Sequence, residues 1–223
     1  VKRISHGTIG TIAGVAYLGL ITNVLLVIAS LPVVLLLITT DPALSWPLLA
    51  AAAPLCAPAL SAAFHTFREF DLGGVTPGRA FVAGWRSTWR RAFTLGALVT
   101  GVVVVVVVDV RFFSDSQFGV AVVPALGLLA VIAAAVGLVG LVAIADAPQA
   151  RLRDILRASL YLSMRRWYLT VVSLVVLVTQ VVLFTAMPAV ALGLTAAPAL
   201  YLAWANSRYT LRPVLETEEL PAV

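Results

Sequence analysis

Along the chain, apolar residues accumulate in long blocks separated by short charged or turn-forming stretches. A hydrocarbon core about 30 Å thick is crossed by roughly 20 apolar residues in a helix. Six blocks fit that scale: about Thr11 to Ile38, Trp46 to Phe67, Phe93 to Val110, Gly119 to Ala145, Leu169 to Ala186 and Ala189 to Ala205. The last two are parted only by Met187 and Pro188, and proline's fixed φ and missing donor suit a tight break between spans. The Val102 to Val108 run has strand propensity, but a lone strand leaves its backbone unsatisfied in lipid, so a helix is expected. Pro32 is expected to kink the first block or to end it early. The pattern therefore predicts one all-α domain over 1–223, a polytopic membrane helix bundle with six transmembrane helices.

Two intervening segments carry a different periodicity. Laying Arg90-Arg91 on Arg165-Arg166, an offset of 75, aligns two parallel units: an apolar span, a basic segment, an Arg-Arg pair and another apolar span. In the first segment Phe81, Trp85 and Trp89 recur at helical spacing, with Arg79, Arg86 and Arg90 on another face. In the second, Leu152, Ile155, Leu156, Ser159, Leu160 and Met164 form a stripe opposed by Arg153, Arg157 and Arg165. Each predicts a basic amphipathic helix of the kind that lies at a membrane interface. Thr76-Pro77 reads as the N-cap and first position of one, and Asp146-Ala-Pro-Gln149 as a capping box ahead of the other.

Composition removes the soluble alternative. Of 223 residues, 61% are hydrophobic and 11% charged, against roughly 25% charged in ordinary soluble domains. The net charge of +5 matters less than its placement. Lys2 and Arg3 precede the first span; Arg68, Arg79, Arg86, Arg90 and Arg91 lie between the second and third. Arg151, Arg153, Arg157, Arg165 and Arg166 lie between the fourth and fifth, and Arg208 and Arg212 follow the sixth; only Arg111 falls on the opposite side. Basic residues in short loops stay cytoplasmic, so both termini are expected in the cytoplasm. The apolar stretch after Lys2-Arg3 exceeds the 7–15 residues or so of a signal-peptide core, so an uncleaved first span is expected.

Candidate chemistry is sparse. Asn23 and Gln180 lie mid-span, His65 near the inner end of the second span, and Asp109 and Arg111 at the outer end of the third. Intramembrane amides are either hydrogen-bond partners between helices or functional groups along a polar path. No carboxylate falls at a midplane, which counts against proton-coupled transport. Cys56 is alone, no second ligand stands at metal spacing from His65, and no phosphate loop, HExxH, GxSxG or GxGxxG occurs. Neither an enzyme nor a cofactor is expected. Nucleic-acid binding is not expected either, because topology already explains the arginines. Small residues at Gly96, Thr100 and Gly101, at Gly127, Ala130, Ala134, Gly137 and Gly140, and at Ala191, Gly193, Ala196 and Ala197 would let backbones approach closely.

The runs Ala16-Tyr-Leu-Gly-Leu-Ile-Thr-Asn23, Ser30-Leu-Pro-Val-Val34 and Ala57-Pro-Ala-Leu-Ser-Ala-Ala63, the Arg79 to Phe93 segment, and Leu152-Arg-Asp-Ile-Leu-Arg-Ala-Ser-Leu160 together resemble the YesL-like family of bacterial integral membrane proteins. One departure is the aliphatic Val24-Leu25-Leu26, where the family tends to carry an aromatic residue. The resemblance implies an accessory role in carbohydrate uptake, with no catalytic or binding residue to transfer. Asn23 and Pro32 match its pattern and are expected to be structural or interface determinants. The expected function is thus an accessory or regulatory subunit of an ATP-driven carbohydrate importer, contacting permease or ATPase subunits and membrane lipid through Arg79, Arg86, Arg90, Arg91, Arg153, Arg157, Arg165 and Arg166. The plainer reading of those arginines is lipid anchoring alone. The alternative function is a small oligomeric transporter or channel, a homo-oligomer with Asn23 and Gln180 along its path.

Overall fold

The computed structural model describes residues 6–73 and 76–218, with side chains from 13 to 211. Lys2 and Arg3, and the side chains of His6 and Arg212, lie outside the described residues. Ten α-helices follow in order: α1 His6–Ala29, α2 Leu31–Thr39, α3 Pro42–Ala52, α4 Cys56–Asp71, α5 Pro77–Phe113, α6 Gly119–Asp146, α7 Leu152–Arg165, α8 Trp167–Ala186, α9 Pro188–Val190 and α10 Ala196–Glu218. A 3-10 turn at Ala53–Leu55 joins α3 to α4, and a π turn at Ala191–Thr195 joins α9 to α10. No strand occurs among the described residues.

Among the described residues five helical stretches are long and apolar enough to cross a membrane: Pro42–Asp71, Pro77–Phe113, Gly119–Asp146, Trp167–Ala186 and Pro188–Leu211. A sixth exists if the bent pair Ala13–Ala29 and Leu31–Thr39 counts as one span; its halves meet at 72°. The expected break near Pro32 falls at Ser30, whose φ of −99° and ψ of 13° leave the helix before Pro32 takes up a place in the first turn of α2. Proline tolerates that position because its missing donor has no partner there. Prolines also mark the second block, where Pro54 lies in the 3-10 turn that adjusts an otherwise continuous rod. The Met187-Pro188 break stands where the sequence puts it.

The core forms where α4, α5, α6, α7 and α10 converge, around Phe64, Phe67, Leu95, Val142, Ile144, Leu162 and Trp204. Glycines set the closest approaches. A Cβ on Gly96 of α5 would lie 2.5 Å from Ala57 Cβ of α4, and one on Gly140 of α6 would meet Leu95 and Ser159. The turn out of α4 needs glycine for a different reason: Gly73 has φ of +75°, the left-handed conformation that ends helices. By contrast, no residue of α2 is buried, although its sequence LPVVLLLIT is apolar all round. Helix α8 buries only Thr170 and Ser173 and exposes Val171, Val175, Val178 and Val181. Apolar surface this extensive marks contact with lipid or another protein rather than with water.

Three sequence expectations need correction. The first basic segment is not a helix of its own: Arg79 to Arg91 forms the N-terminal part of α5, a single helix of 37 residues. No breaker lies between Trp89 and Phe93, so the Arg-Arg pair leaves the backbone ladder intact. In the second unit the ladder does break, at Arg166 with φ of −118° and ψ of 45°, and α7 is separate. Second, the expected stripes pack inward only in part: Phe81, Ile155 and Ser159 are buried and Trp85, Leu152 and Leu156 pack against the core, but Trp89, Leu160 and Met164 do not. On α5 the inward face is Phe81, Gly84, Thr88, Ala92 and Leu95, and Trp89 is exposed. On α7 it is Ile155, Ser159, Leu162 and Ser163, leaving Leu160 and Met164 outside. Both helices pack on neighbouring helices, and Ser159 of α7 faces Gly140 of α6. Third, Asp146 caps nothing: it is the last residue of α6, and Arg151 stands at the N-cap of α7 without a side-chain bond. Thr76 does stand at the N-cap of α5, with Pro77 next, and its carbonyl accepts from the Arg79 and Ala80 amides.

Candidate functional site

The two intramembrane amides meet on one feature, the π turn. In an α-helix the Ala197 N–H would donate to the Gly193 carbonyl, four residues back. Here Asn23 of α1 stands between them. Its Nδ2 donates to Gly193 O at 2.9 Å, and its Oδ1 accepts from the Ala197 N–H at 2.6 Å. Asn23 is 2% exposed, so both bonds are shielded from competition. From the other side Gln180 of α8 donates through Nε2 to Ala191 O at 2.8 Å, and its Oε1 accepts from Thr195 Oγ1 at 2.9 Å. The turn leaves backbone groups without ordinary helical partners, and side chains from the remote α1 and the preceding α8 take them. Both amides also line a cavity of about 360 Å³, with Ser30 and Cys56 among mostly aliphatic walls such as Leu26, Val34 and Leu200.

A second polar centre gathers at the arginine-rich end, and the sequence reading missed it. The carboxylate of Asp146 is 4% exposed and faces Arg68 Nε and Arg208 Nε, each at 3.9 Å. Among the described residues neither of its oxygens has a hydrogen-bond donor. Arg208 reaches Asp71 Oδ2 at 3.0 Å through Nη1 and lies over the Trp204 ring, 5.3 Å from its centre. One arginine of α10 thus holds the final residues of both α4 and α6. Asp71 and Asp146 are 75 positions apart, the same offset that aligns the Arg-Arg pairs, and that was the signal available. His65 is brought beside this acid, with Nδ1 3.5 Å from Ala145 O and its ring against Gly84. Neither His65 nor Asp146 lines the cavity at the amides. Among the described residues no group of three or more His, Cys, Asp or Glu is placed to hold a metal.

The remaining candidates divide into two sets. Arg91 is half-buried and donates through Nη1 to the carbonyls of Pro148 and, at 2.8 Å, Ala150, fixing the loop between α6 and α7. Its counterpart Arg166 donates to Tyr209 O at 2.7 Å and lies 5.0 Å from the centre of that ring. The second arginine of each pair is thus engaged within the chain, Arg91 with the loop between α6 and α7 and Arg166 with α10. Arg79, Arg86, Arg90, Arg153, Arg157 and Arg165 are exposed, with Arg90 over Trp89 at 5.9 Å. Pro32 stands in the first turn of α2, away from the amides. Of the small residues, Gly96, Gly137 and Gly140 make close approaches, whereas Gly101, Gly127 and Gly193 have open space beside them. No family model, curated protein or solved structure matches this chain.

Proposed function

We propose that this protein is an integral membrane accessory subunit that binds another membrane protein and does not itself conduct a solute. The observation that carries the reading is the engagement of Asn23 and Gln180. The oxygen and the nitrogen of the Asn23 amide, and those of the Gln180 amide, are all committed to the π turn and Ala197, so these two side chains offer a translocated polar solute few free groups. The partner is a permease or ATPase of an ATP-driven carbohydrate importer, a proposal that rests on the resemblance to the YesL-like family. In the plasma membrane of a bacterium, with both termini cytoplasmic, the exposed faces of Arg79, Arg90, Arg153, Arg157 and Arg165 would meet such a partner or anionic lipid there.

The test is mild detergent extraction from native membranes, purification through a C-terminal tag, and mass spectrometry of the recovered complex. Stoichiometric recovery of a sugar permease or its ATPase is expected, and Arg153→Glu with Arg157→Glu should reduce it at least about tenfold, since like charges at an interface oppose association. The cavity shared by Asn23 and Gln180 favours a second reading, a small oligomeric transporter or channel. Recovery of the chain alone as a defined oligomer would shift the function there. Flux that survives Asn23→Ala and Gln180→Ala together would remove those residues from any transport path.

A further inference from the structure

Beside the elbow of α1 and α2 a trough runs along the first turns of α5. It comprises two adjoining hollows of about 710 and 390 Å³ that share Ala29, Trp85 and Arg86. Its walls are apolar, including Ile28 of α1, Pro32 of α2, Pro58 of α4 and Phe93 of α5. Arg86 is the single charged residue in the lining. Among the described residues no acid pairs with its guanidinium. Trp85 is half-buried and Trp89 is 47% exposed. The antiparallel pairing of α4 and α5, with Gly84 against His65 and Gly96 against Ala57, places these three side chains just before the apolar block that starts at Phe93. The flank of an apolar block is where tryptophans collect in membrane proteins. A guanidinium with free donors, above an apolar channel and flanked by two indoles, matches one kind of molecule in its charge and its polarity gradient.

We propose that this trough holds one anionic phospholipid of the surrounding bilayer. Its phosphate bonds Arg86, its glycerol region rests between Trp85 and Trp89, and an acyl chain follows Pro58 and Phe93 into the membrane. The proposal rests on the membrane reading of the helices and is independent of the accessory role. It differs from general anchoring by basic residues, because one site and one arginine are assigned.

The purified chain in detergent would be titrated with phosphatidylglycerol or phosphatidylcholine and examined by native mass spectrometry. One retained phosphatidylglycerol per chain is expected, with phosphatidylcholine at least about tenfold weaker, given the charge-assisted phosphate bond. Arg86→Gln should weaken phosphatidylglycerol about tenfold and leave phosphatidylcholine unchanged, whereas Arg111→Gln, at the other end of α5, should change neither. Thermal melting of each variant without lipid shows whether it is folded. Phosphatidylglycerol brominated along its chains should quench tryptophan emission less in Trp89→Phe than in the parent. Equal retention of both lipids, or full retention of phosphatidylglycerol by a folded Arg86→Gln, would overturn the site. So would inorganic phosphate displacing the lipid at equal concentration, or Trp89→Cys chains that crosslink to each other in the presence of lipid. A failed lipid titration leaves recovery of a permease or ATPase untouched, so the two readings fail separately.

Discussion

Asn23 occupies a gap between a carbonyl and an amide that would otherwise bond each other, and the amide group, with one donor and one acceptor, is suited to both ends of such a gap. No smaller side chain bridges it, and a carboxylate supplies only the acceptor. Asn23→Ala is therefore expected to cost about 1–3 kcal/mol, because Gly193 O and Ala197 N are left without partners until the π turn relaxes toward regular helix. Asn23→Asp should cost more, since it keeps the Ala197 bond, loses the Gly193 bond and buries a charge. Gln180 is only half-buried, and Gln180→Ala should fall near the average of about 0.6 kcal/mol for interhelical bonds in membranes. Reversible unfolding in a fixed detergent measures all three. If Asn23→Ala proved no worse than Gln180→Ala, the bridge would not be what holds α1 to α10.

At the scale of the helices, close approach is a matter of which glycine has a neighbour. Gly96→Ala would drive a methyl to within 2.5 Å of Ala57 Cβ and 3.3 Å of the Pro54 carbonyl, and neither can swing aside. Overpacking of this kind costs about 1–3 kcal/mol. Gly101 lies on the same helix with nothing within 4 Å, so Gly101→Ala should be neutral or stabilise by up to about 1 kcal/mol through helix propensity. Thermal melting of the two variants side by side checks the contrast. The sequence presents Gly96 and Gly101 as equivalent members of one small-residue stripe, and the reason it cannot separate them is general. Lipid tails and a protein interior are equally apolar, so hydropathy locates a span without revealing which face meets protein. That is why five long apolar helices and the Met187-Pro188 break could be read from the chain, whereas the inward faces of α5 and α7 could be read only in part. The Arg90-Arg91 pair shows a related limit: charge marks where a helix can leave the membrane, not where its backbone ends. Asn23 and Gln180 stood out because amides are rare in such blocks, but their shared target, a π turn, has no marker in composition.

Across the whole molecule, two helices that are far apart in sequence end at one arginine of a third. Arg208 of α10 joins the last residue of α4 to the last residue of α6, and Arg68 approaches Asp146 from α4 itself. The two acids are not equivalent energetically. Asp71 is 53% exposed, so its pairing is a surface interaction worth at most about 1 kcal/mol. Asp146 is almost fully enclosed, and a buried carboxylate deprived of a countercharge has no water to replace it. Arg208→Gln should therefore destabilise the protein by about 3 kcal/mol, the lower end for breaking a buried pair, because Arg68 remains. Asp71→Asn should cost no more than about 1 kcal/mol. Adding Asp146→Asn to Arg208→Gln should recover much of the loss, because the stranded charge is removed with its partner. The double-mutant cycle, read by unfolding in one detergent at neutral pH, assigns the coupling to that pair. Additive losses in Arg208→Gln and Asp146→Asn would mean that the arginine acts through its packing on Trp204, and that α4 and α6 are joined by contacts other than charge.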